Sequence, residues 1–160
     1  MNEQTAEYEI KAAFLCKFGN YVEWPPQQMP AATPFAIGVV ASDAVVEELE
    51  RAARGQSVNG RLIAVRRLAA GDPVNGIGIL FVARSHAARL AETLAETKGQ
   101  PILTVTESDP GTAAGGIVNF VVVADKVRFD IALQQAEQSN LKISARLLGV
   151  ARAVSGRTSQ

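Results

Sequence analysis

The chain has 160 residues, of which 48% are hydrophobic, and its 16 basic residues are balanced by 16 acidic ones. This length fits one ordinary domain, which buries about two thirds of its surface on folding. The zero net charge excludes the broad positive field of a nucleic-acid-binding protein. No apolar run approaches the roughly 20 residues that span a bilayer. We therefore expect a single domain over residues 1–160, with an ordered core from about residue 5 to 154, and no nucleic-acid partner.

The chain has few side chains of the kinds that form catalytic or metal sites. Cys16 and His86 are the only cysteine and the only histidine, so the chain has no intrachain disulfide and too few ligands for a zinc site or a histidine-based triad. Ser85 precedes His86, but neighbouring residues at a helix start point in different directions and no nucleophile elbow surrounds the serine. We expect Ser85 to cap a helix. The sequence thus predicts no catalytic residue, no metal and no cofactor, in a protein that binds something.

The first helix is predicted over residues 5–22. Apolar residues recur there at three- and four-residue steps, the spacing of one helical stripe. They are Ile10, Phe14, Phe18 and Tyr21 or Val22. Trp24-Pro25-Pro26 ends the helix, because proline lacks the N–H and clashes with the preceding turn. A loop through Pro34 is expected next.

Strands and helices then alternate. Residues 35–40, 62–65, 77–82 and 102–105 are short apolar runs that predict strands. Ser42 or Asp43 can cap a helix after the first run, and Ser85 can cap one that carries Leu90 and Leu94. The glycines of Gly76-Ile77-Gly78 and of residues 111–116 indicate turns or close backbone approach. This order predicts an α/β fold with a central mixed sheet of about five or six strands and helices on both faces.

Residues 117–123 and 126–133 predict a C-terminal hairpin joined by the two residues Ala124-Asp125. With that turn, Asn119 lies opposite Asp130, and Arg128 shares their face. A guanidinium held by a carboxylate can present donors to an anionic or aromatic ligand, and it can equally be an internal ion pair that fastens the hairpin. Trp24 allows two interpretations as well, a packed anchor or a ring in a contact surface. After the hairpin, Ser139-Asn140 ends a short helix.

The last helix is expected after Ser144, which can cap it, with Leu147, Leu148 and Ala151 on its apolar side. The tail from Ser155 to Gln160 is polar and expected to be disordered. At the other end, residues 1–4 show no basic and apolar signal, so we expect either a cytoplasmic protein or the mature part of an exported one.

Several segments together resemble the YfiR-like family. They are residues 11–25, residues 59–68, residues 115–120 with 127–131, and residues 141–148, in the family's order and spacing from about Lys11 to Ala153. The resemblance implies a non-catalytic, periplasmic α/β protein, a homodimer, that binds the periplasmic sensor domain of an inner-membrane diguanylate cyclase of the YfiN type. By repressing the cyclase it would lower cyclic di-GMP and limit biofilm formation.

The same resemblance picks out five positions as partner- or ligand-binding residues: Glu23, Trp24, Asn119, Arg128 and Asp130. Many members of the family carry cysteine pairs that respond to redox signals, and this chain has none. Its strand ends Asp130-Ile131-Ala132, where the family more often has an asparagine in the last position. The alternative interpretation is a periplasmic small-molecule sensor or solute-binding accessory protein, with a pocket near Trp24 and Arg128 at the strand ends of the sheet.

Overall fold

A computed structural model describes residues 3–24, 34–69, 72, 74, 76–84, 90–97, 100–107 and 116–155 of the chain. The predictions for the loop at residues 25–33, for Ser85 and His86, for glycines 111–115 and for the tail at residues 156–160 lie outside these residues.

Five α-helices and a short 3-10 helix are seen in the described part of the chain. They are α1 (Glu3–Phe18), the 3-10 helix (Gly19–Tyr21), α2 (Asp43–Ala53), α3 (Leu90–Thr97), α4 (Leu133–Gln138) and α5 (Ala145–Val150). The strands are β1 (Val22–Glu23), β2 (Phe35–Val40), β3 (Ser57–Val58), β4 (Arg61–Arg67), β5 (Ile77–Val82), β6 (Leu103–Thr106), β7 (Val118–Val123), β8 (Lys126–Ala132), β9 (Lys142–Ile143) and β10 (Ala153–Ser155).

Eight of the strands form one mixed sheet in the order β10-β8-β7-β6-β5-β2-β4-β3, while β1 and β9 pair separately. The strands from β4 to β7 in this order are parallel, and β8 returns antiparallel to β7. The predicted α/β fold with a mixed sheet is confirmed. The sheet has more strands than the five or six expected, because the edge strands β3 and β10 are two and three residues long. Strands this short show no alternation in the sequence.

Helices cover both faces of the sheet, as predicted. On β2, Phe35, Ile37 and Val39 point into a core that also contains residues of α1 and α2. Ala36 and Val40 point the other way, into a second core against which Leu94 of α3 packs. Because side chains alternate along a strand, both faces of β2 and β5 are buried, which explains their unbroken apolar runs.

The first helix is confirmed, but it ends at Phe18 rather than at residue 22, because Val22 and Glu23 pair with β9 as a strand. Its predicted buried stripe is also wrong at one position. Ile10 is 48% exposed, whereas the neighbouring Lys11 is only 1% exposed and faces the sheet with Leu15 and Phe18. The hydrophobic pattern assigned the buried position to Ile10 rather than to Lys11, because a lysine is normally a surface residue. Lys11 is buried because its charge is paired inside the protein, as described below.

The C-terminal hairpin has the predicted register. Val123 lies opposite Lys126, and Asn119 opposite Asp130. Ala124 and Asp125 have φ values of 53° and 65°. Both turn residues therefore have the left-handed backbone conformation of the two-residue turn that matches the twist of a hairpin.

The end of the chain differs from its prediction. Ser144 caps α5 as expected, since its Oγ accepts a hydrogen bond from the Leu147 amide at 3.2 Å. However, Ala151 is extended rather than helical. The chain leaves the helix because the Arg152 amide donates to the Phe129 carbonyl oxygen at 2.7 Å, which starts β10 beside β8.

Candidate functional site

Asp130 is held by an arginine, but not by the one the sequence suggested. Its carboxylate oxygens accept from Arg152 Nε at 2.9 Å and Arg152 Nη2 at 2.5 Å. This bidentate geometry is the strong form of a charge-assisted hydrogen bond, and it raises the pKa of Arg152. The Asp130 carboxylate therefore fastens β10 to the hairpin.

Arg128 is left outside this pair because of the strand register. Ala153 of β10 lies opposite Asp130, which brings the preceding residue, Arg152, next to the carboxylate. Arg128 lies two residues before Asp130 on β8, about 6.6 Å from it at the usual rise of a strand. The expected Arg128–Asp130 pair is thus not formed. Arg128 is exposed, and it makes no ion pair with any other residue that the structure describes.

Asn119 fixes the start of the hairpin. Its Oδ1 accepts from the Thr106 hydroxyl at 2.7 Å, and the same hydroxyl oxygen accepts from the Gly116 amide at 2.9 Å. Thr106 is fully buried at the end of β6. The amide of Asn119 is therefore occupied in joining β6 to the chain that enters β7.

Trp24 is a packed anchor. Its Nε1 donates to the Gly78 carbonyl oxygen at 3.2 Å, and its ring meets the Phe35 ring edge-on with centroids 5.1 Å apart. The close approach predicted near Gly78 is confirmed, because a Cβ at this position would lie 2.5 Å from the Phe35 ring. Gly76, with φ of +80°, provides the expected turn before β5.

Glu23 is exposed on the short ribbon of β1 and β9, directly opposite the exposed Lys142. Opposite charges on directly facing residues stabilise the pairing of the two strands. Both side chains remain accessible to a partner.

Trp24 and Arg128 do not come together. Trp24 packs on the sheet face covered by α1 and α2, against β2 and β5. On β8, Phe129 and Ile131 point to that same face, so Arg128 points to the opposite one. The strands β6 and β7 also separate β5 from β8. Among the described residues these two side chains lie on opposite faces and line no common pocket, so the expectation of one pocket near both is wrong.

A buried charge network, which the sequence did not predict, lies between α1 and the sheet. Lys11 Nζ contacts Glu7 Oε2 and Glu107 Oε2. Glu107 Oε1 accepts from the Tyr8 hydroxyl at 3.0 Å and from the Arg84 amide at 2.7 Å. The side chains of Lys11 and Glu107 are 1% and 0% exposed. Since every charge in this network has a partner, it can be buried at a tolerable cost.

The network lies at the carboxyl ends of β5 and β6. Arg84 and Glu107 follow β5 and β6, and the carboxyl ends of parallel strands are where doubly wound sheets bind ligands. Here side chains of α1 fill the ends of these two strands. Burial, followed by the charge of Glu107, raises the pKa of Tyr8 well above its usual value, so its hydroxyl remains a donor to Glu107. The spacing gave no signal, because Lys11 and Glu107 are 96 positions apart.

The described residues assemble few reactive groups. Burial raises the pKa of the Cys16 thiol to about 11, which fits the expected role of a small apolar side chain in the core. Within the described ranges, no three histidine, cysteine, aspartate or glutamate side chains converge as metal ligands. No described helix is long and apolar enough to cross a membrane.

Comparison with known proteins gives one clear result. The sequence model of a protein family described as YfiR/HmsC-like matches residues 8–152. That span runs from Tyr8 of the buried network to Arg152, which pairs with Asp130. No curated protein matches the chain.

Proposed function

The chain belongs to the YfiR/HmsC-like family, and we propose on this basis that it is a non-catalytic regulatory protein that represses a diguanylate cyclase. In this proposal the chain works in the periplasm and binds the periplasmic sensor domain of an inner-membrane cyclase. Cyclic di-GMP synthesis falls as a result, and biofilm formation with it. The observation that carries the proposal is the family match over residues 8–152.

The exposed hairpin supports a binding role. Val122 and Val123 are 47% and 44% exposed at its tip. Val123 lies on the same face of the hairpin as the exposed Arg128, and Val122 lies on the other face. Exposed apolar side chains beside an arginine are typical of a contact surface, because interface cores favour apolar groups and arginine. We propose Arg128 as the main charged contact.

The other positions named from the sequence have distinct parts in this proposal. Glu23, exposed on β1, is a second contact. Asp130 and Asn119 hold the hairpin in place through Arg152 and Thr106. Trp24 anchors the end of β1 on the sheet. A homodimer, as the family resemblance implies, would present two such surfaces.

The proposal is tested by activity of the cyclase itself. The inner-membrane cyclase from the same organism, reconstituted in nanodiscs, is supplied with GTP, and cyclic di-GMP is measured with and without the chain on the sensor side. We expect a dose-dependent fall in product. If product formation is unchanged at saturating chain for every cyclase that has a periplasmic sensor, the proposal is wrong.

A further inference from the structure

The edge of the sheet at β3 and β4 is basic, although the chain as a whole carries no net charge. Residues 51–67 contain five arginines, with no lysine and no acidic residue. The remainder of the chain is therefore net acidic. We call the five residues the arginine edge: Arg51, Arg54, Arg61, Arg66 and Arg67.

The arginines are spread along the whole edge. Arg51 lies in the last turn of α2, and Arg54 follows that helix. Arg61 begins β4, and Arg66 and Arg67 are its last two residues, about 20 Å from its start at the usual rise of a strand. Side chains alternate along β4, and Arg67 contacts α2, so Arg66 points to the opposite face. Guanidinium groups thus flank the edge on both faces of the sheet.

The charges of this edge are accessible to an anionic surface. Arg54 is exposed and makes no ion pair with another described residue. Arg51 contacts Glu48 and Arg67 contacts Asp43, but both arginine side chains are 60% exposed. Exposed ion pairs contribute little free energy, so these two guanidinium groups can also contact another anion.

An exposed leucine lies among these arginines. Leu62 of β4 is 65% exposed, the highest value among the large apolar side chains that the structure describes. A single leucine offers too little apolar area for the core of a protein interface. An apolar side chain surrounded by cations is, however, the combination that binds the headgroup region of a bilayer.

Protection of the edge strand does not account for this composition. Charged side chains do prevent an exposed strand from pairing with another chain. Either sign of charge would serve that purpose, so protection requires neither five arginines without an acidic residue nor an exposed Leu62.

We propose that the arginine edge docks on the surface of an anionic phospholipid bilayer, with its guanidinium groups on the headgroup phosphates and Leu62 inserted between the headgroups. Arginine suits this contact because its planar group donates two parallel hydrogen bonds to a phosphate. Three strands, β2, β5 and β6, separate this edge from the hairpin, so the hairpin tip stays accessible. The inference does not rest on the proposed function, because the charge of the edge and Leu62 carry it.

Co-sedimentation of the full chain with lipid vesicles tests the charge requirement. One set of vesicles is pure phosphatidylcholine, which is neutral, and the other is an equal mixture with phosphatidylglycerol, which is anionic. We expect binding to the anionic vesicles that weakens as the salt concentration rises, and no binding to the neutral ones. Each arginine near an anionic surface should contribute about fivefold to the affinity.

Two double variants that lose the same charge locate the contact. Arg54→Gln/Arg66→Gln should weaken binding to anionic vesicles roughly 25-fold. Lys126→Gln/Arg128→Gln, which removes two exposed cations from the hairpin, should change it less than about twofold, because salt screens distant charges. Equal urea midpoints for the variants and the unmodified chain show that the comparison is between folded proteins.

The insertion of Leu62 has its own test. Leu62→Gln should weaken binding to anionic vesicles several-fold, because a polar side chain gains nothing from leaving water. Val150→Gln removes another exposed apolar side chain, 60% exposed on α5, and should leave the affinity unchanged.

Equal binding to the two kinds of vesicle, or no binding to either, would overturn the proposal. Equal losses in the two double variants would do the same, because the contact would then not lie at the arginine edge. If the chain binds polyglutamate, a soluble acidic polypeptide, through Arg54 and Arg66 but does not bind anionic vesicles, the edge is a contact for an acidic protein and the proposal is wrong.

Discussion

A lysine that is 1% exposed has to have its charge compensated within the protein. For Lys11 the compensation comes from Glu107 and Glu7, and the Tyr8 and Phe120 rings lie 4.9 and 5.8 Å from its Nζ. Contact between a cation and an aromatic face adds to the attraction. The residue thus ties α1 to the end of β6.

Removing this lysine should be costly. We expect Lys11→Met to lower the free energy of unfolding by about 3 kcal/mol, because it leaves the Glu107 carboxylate buried without its cation. In Lys11→Met/Glu107→Gln the cost should fall well short of the sum of the two single changes. Urea denaturation measures both.

The exposed pair Arg51–Glu48 provides the matched control. Arg51→Ala should cost less than about 1 kcal/mol, as surface ion pairs usually do. An equally small cost for Lys11→Met would contradict the buried network.

Cys16 should titrate outside the neutral range. Its folded pKa of about 11 lies above the ordinary thiol value of 9.0. The stability gained by keeping the buried thiol protonated is therefore fully present below pH 9.0 and is lost as pH rises through about 11. At pH 8, a disulfide reagent should modify Cys16 in the native protein roughly 100-fold more slowly than in urea.

Cys16→Ala is the control for alkaline stability. This variant should lose less free energy of unfolding between pH 7 and pH 11 than the unmodified chain. Fast modification of the native protein at pH 8 would mean that the thiol is accessible.

At the scale of secondary structure, the hairpin shows what a sequence can and cannot predict. Its register follows from the two-residue turn, and the alternation of β8 gives the correct faces. The predicted partner of Asp130 was wrong, because its true partner Arg152 directly precedes β10, a strand of three residues with no pattern of its own. Lys11 shows the same limit, since its partner Glu107 is distant in sequence and close only in the fold.

The sequence of the hairpin turn is not the most stable one for its backbone conformation. Ala124 has a left-handed φ of 53°, which costs a residue with a Cβ roughly 1–2 kcal/mol. Asparagine followed by glycine is the preferred pair for such a turn. We expect Ala124→Asn/Asp125→Gly to raise the free energy of unfolding by about 1 kcal/mol, measured by urea denaturation.

Ala13→Asn is the control for that change, because Ala13 is exposed in α1. It should lower stability by a few tenths of a kcal/mol, since alanine is the better helix former. A loss of stability in the turn variant would show that the two residues are not left-handed in solution.

At the scale of the whole molecule, the fold places a helix where many α/β proteins hold a ligand. Side chains of α1 fill the carboxyl ends of β5 and β6, and the contact surface that we propose lies elsewhere, at the hairpin tip. The alternation of strands and helices predicted this architecture. The buried network at the strand ends depends on contacts between distant segments, which the sequence pattern does not contain.

We propose above all that the chain binds a cyclase sensor domain through the hairpin. Biolayer interferometry with the purified sensor domain of the cyclase that we propose as its partner measures this directly, with Arg128→Glu as the test and Arg54→Glu as the matched control. We predict a dissociation constant in the micromolar range or below, raised at least about tenfold by Arg128→Glu and unchanged by the control. Absence of a complex at about 100 μM sensor domain, or equal binding by Arg128→Glu, would contradict the account.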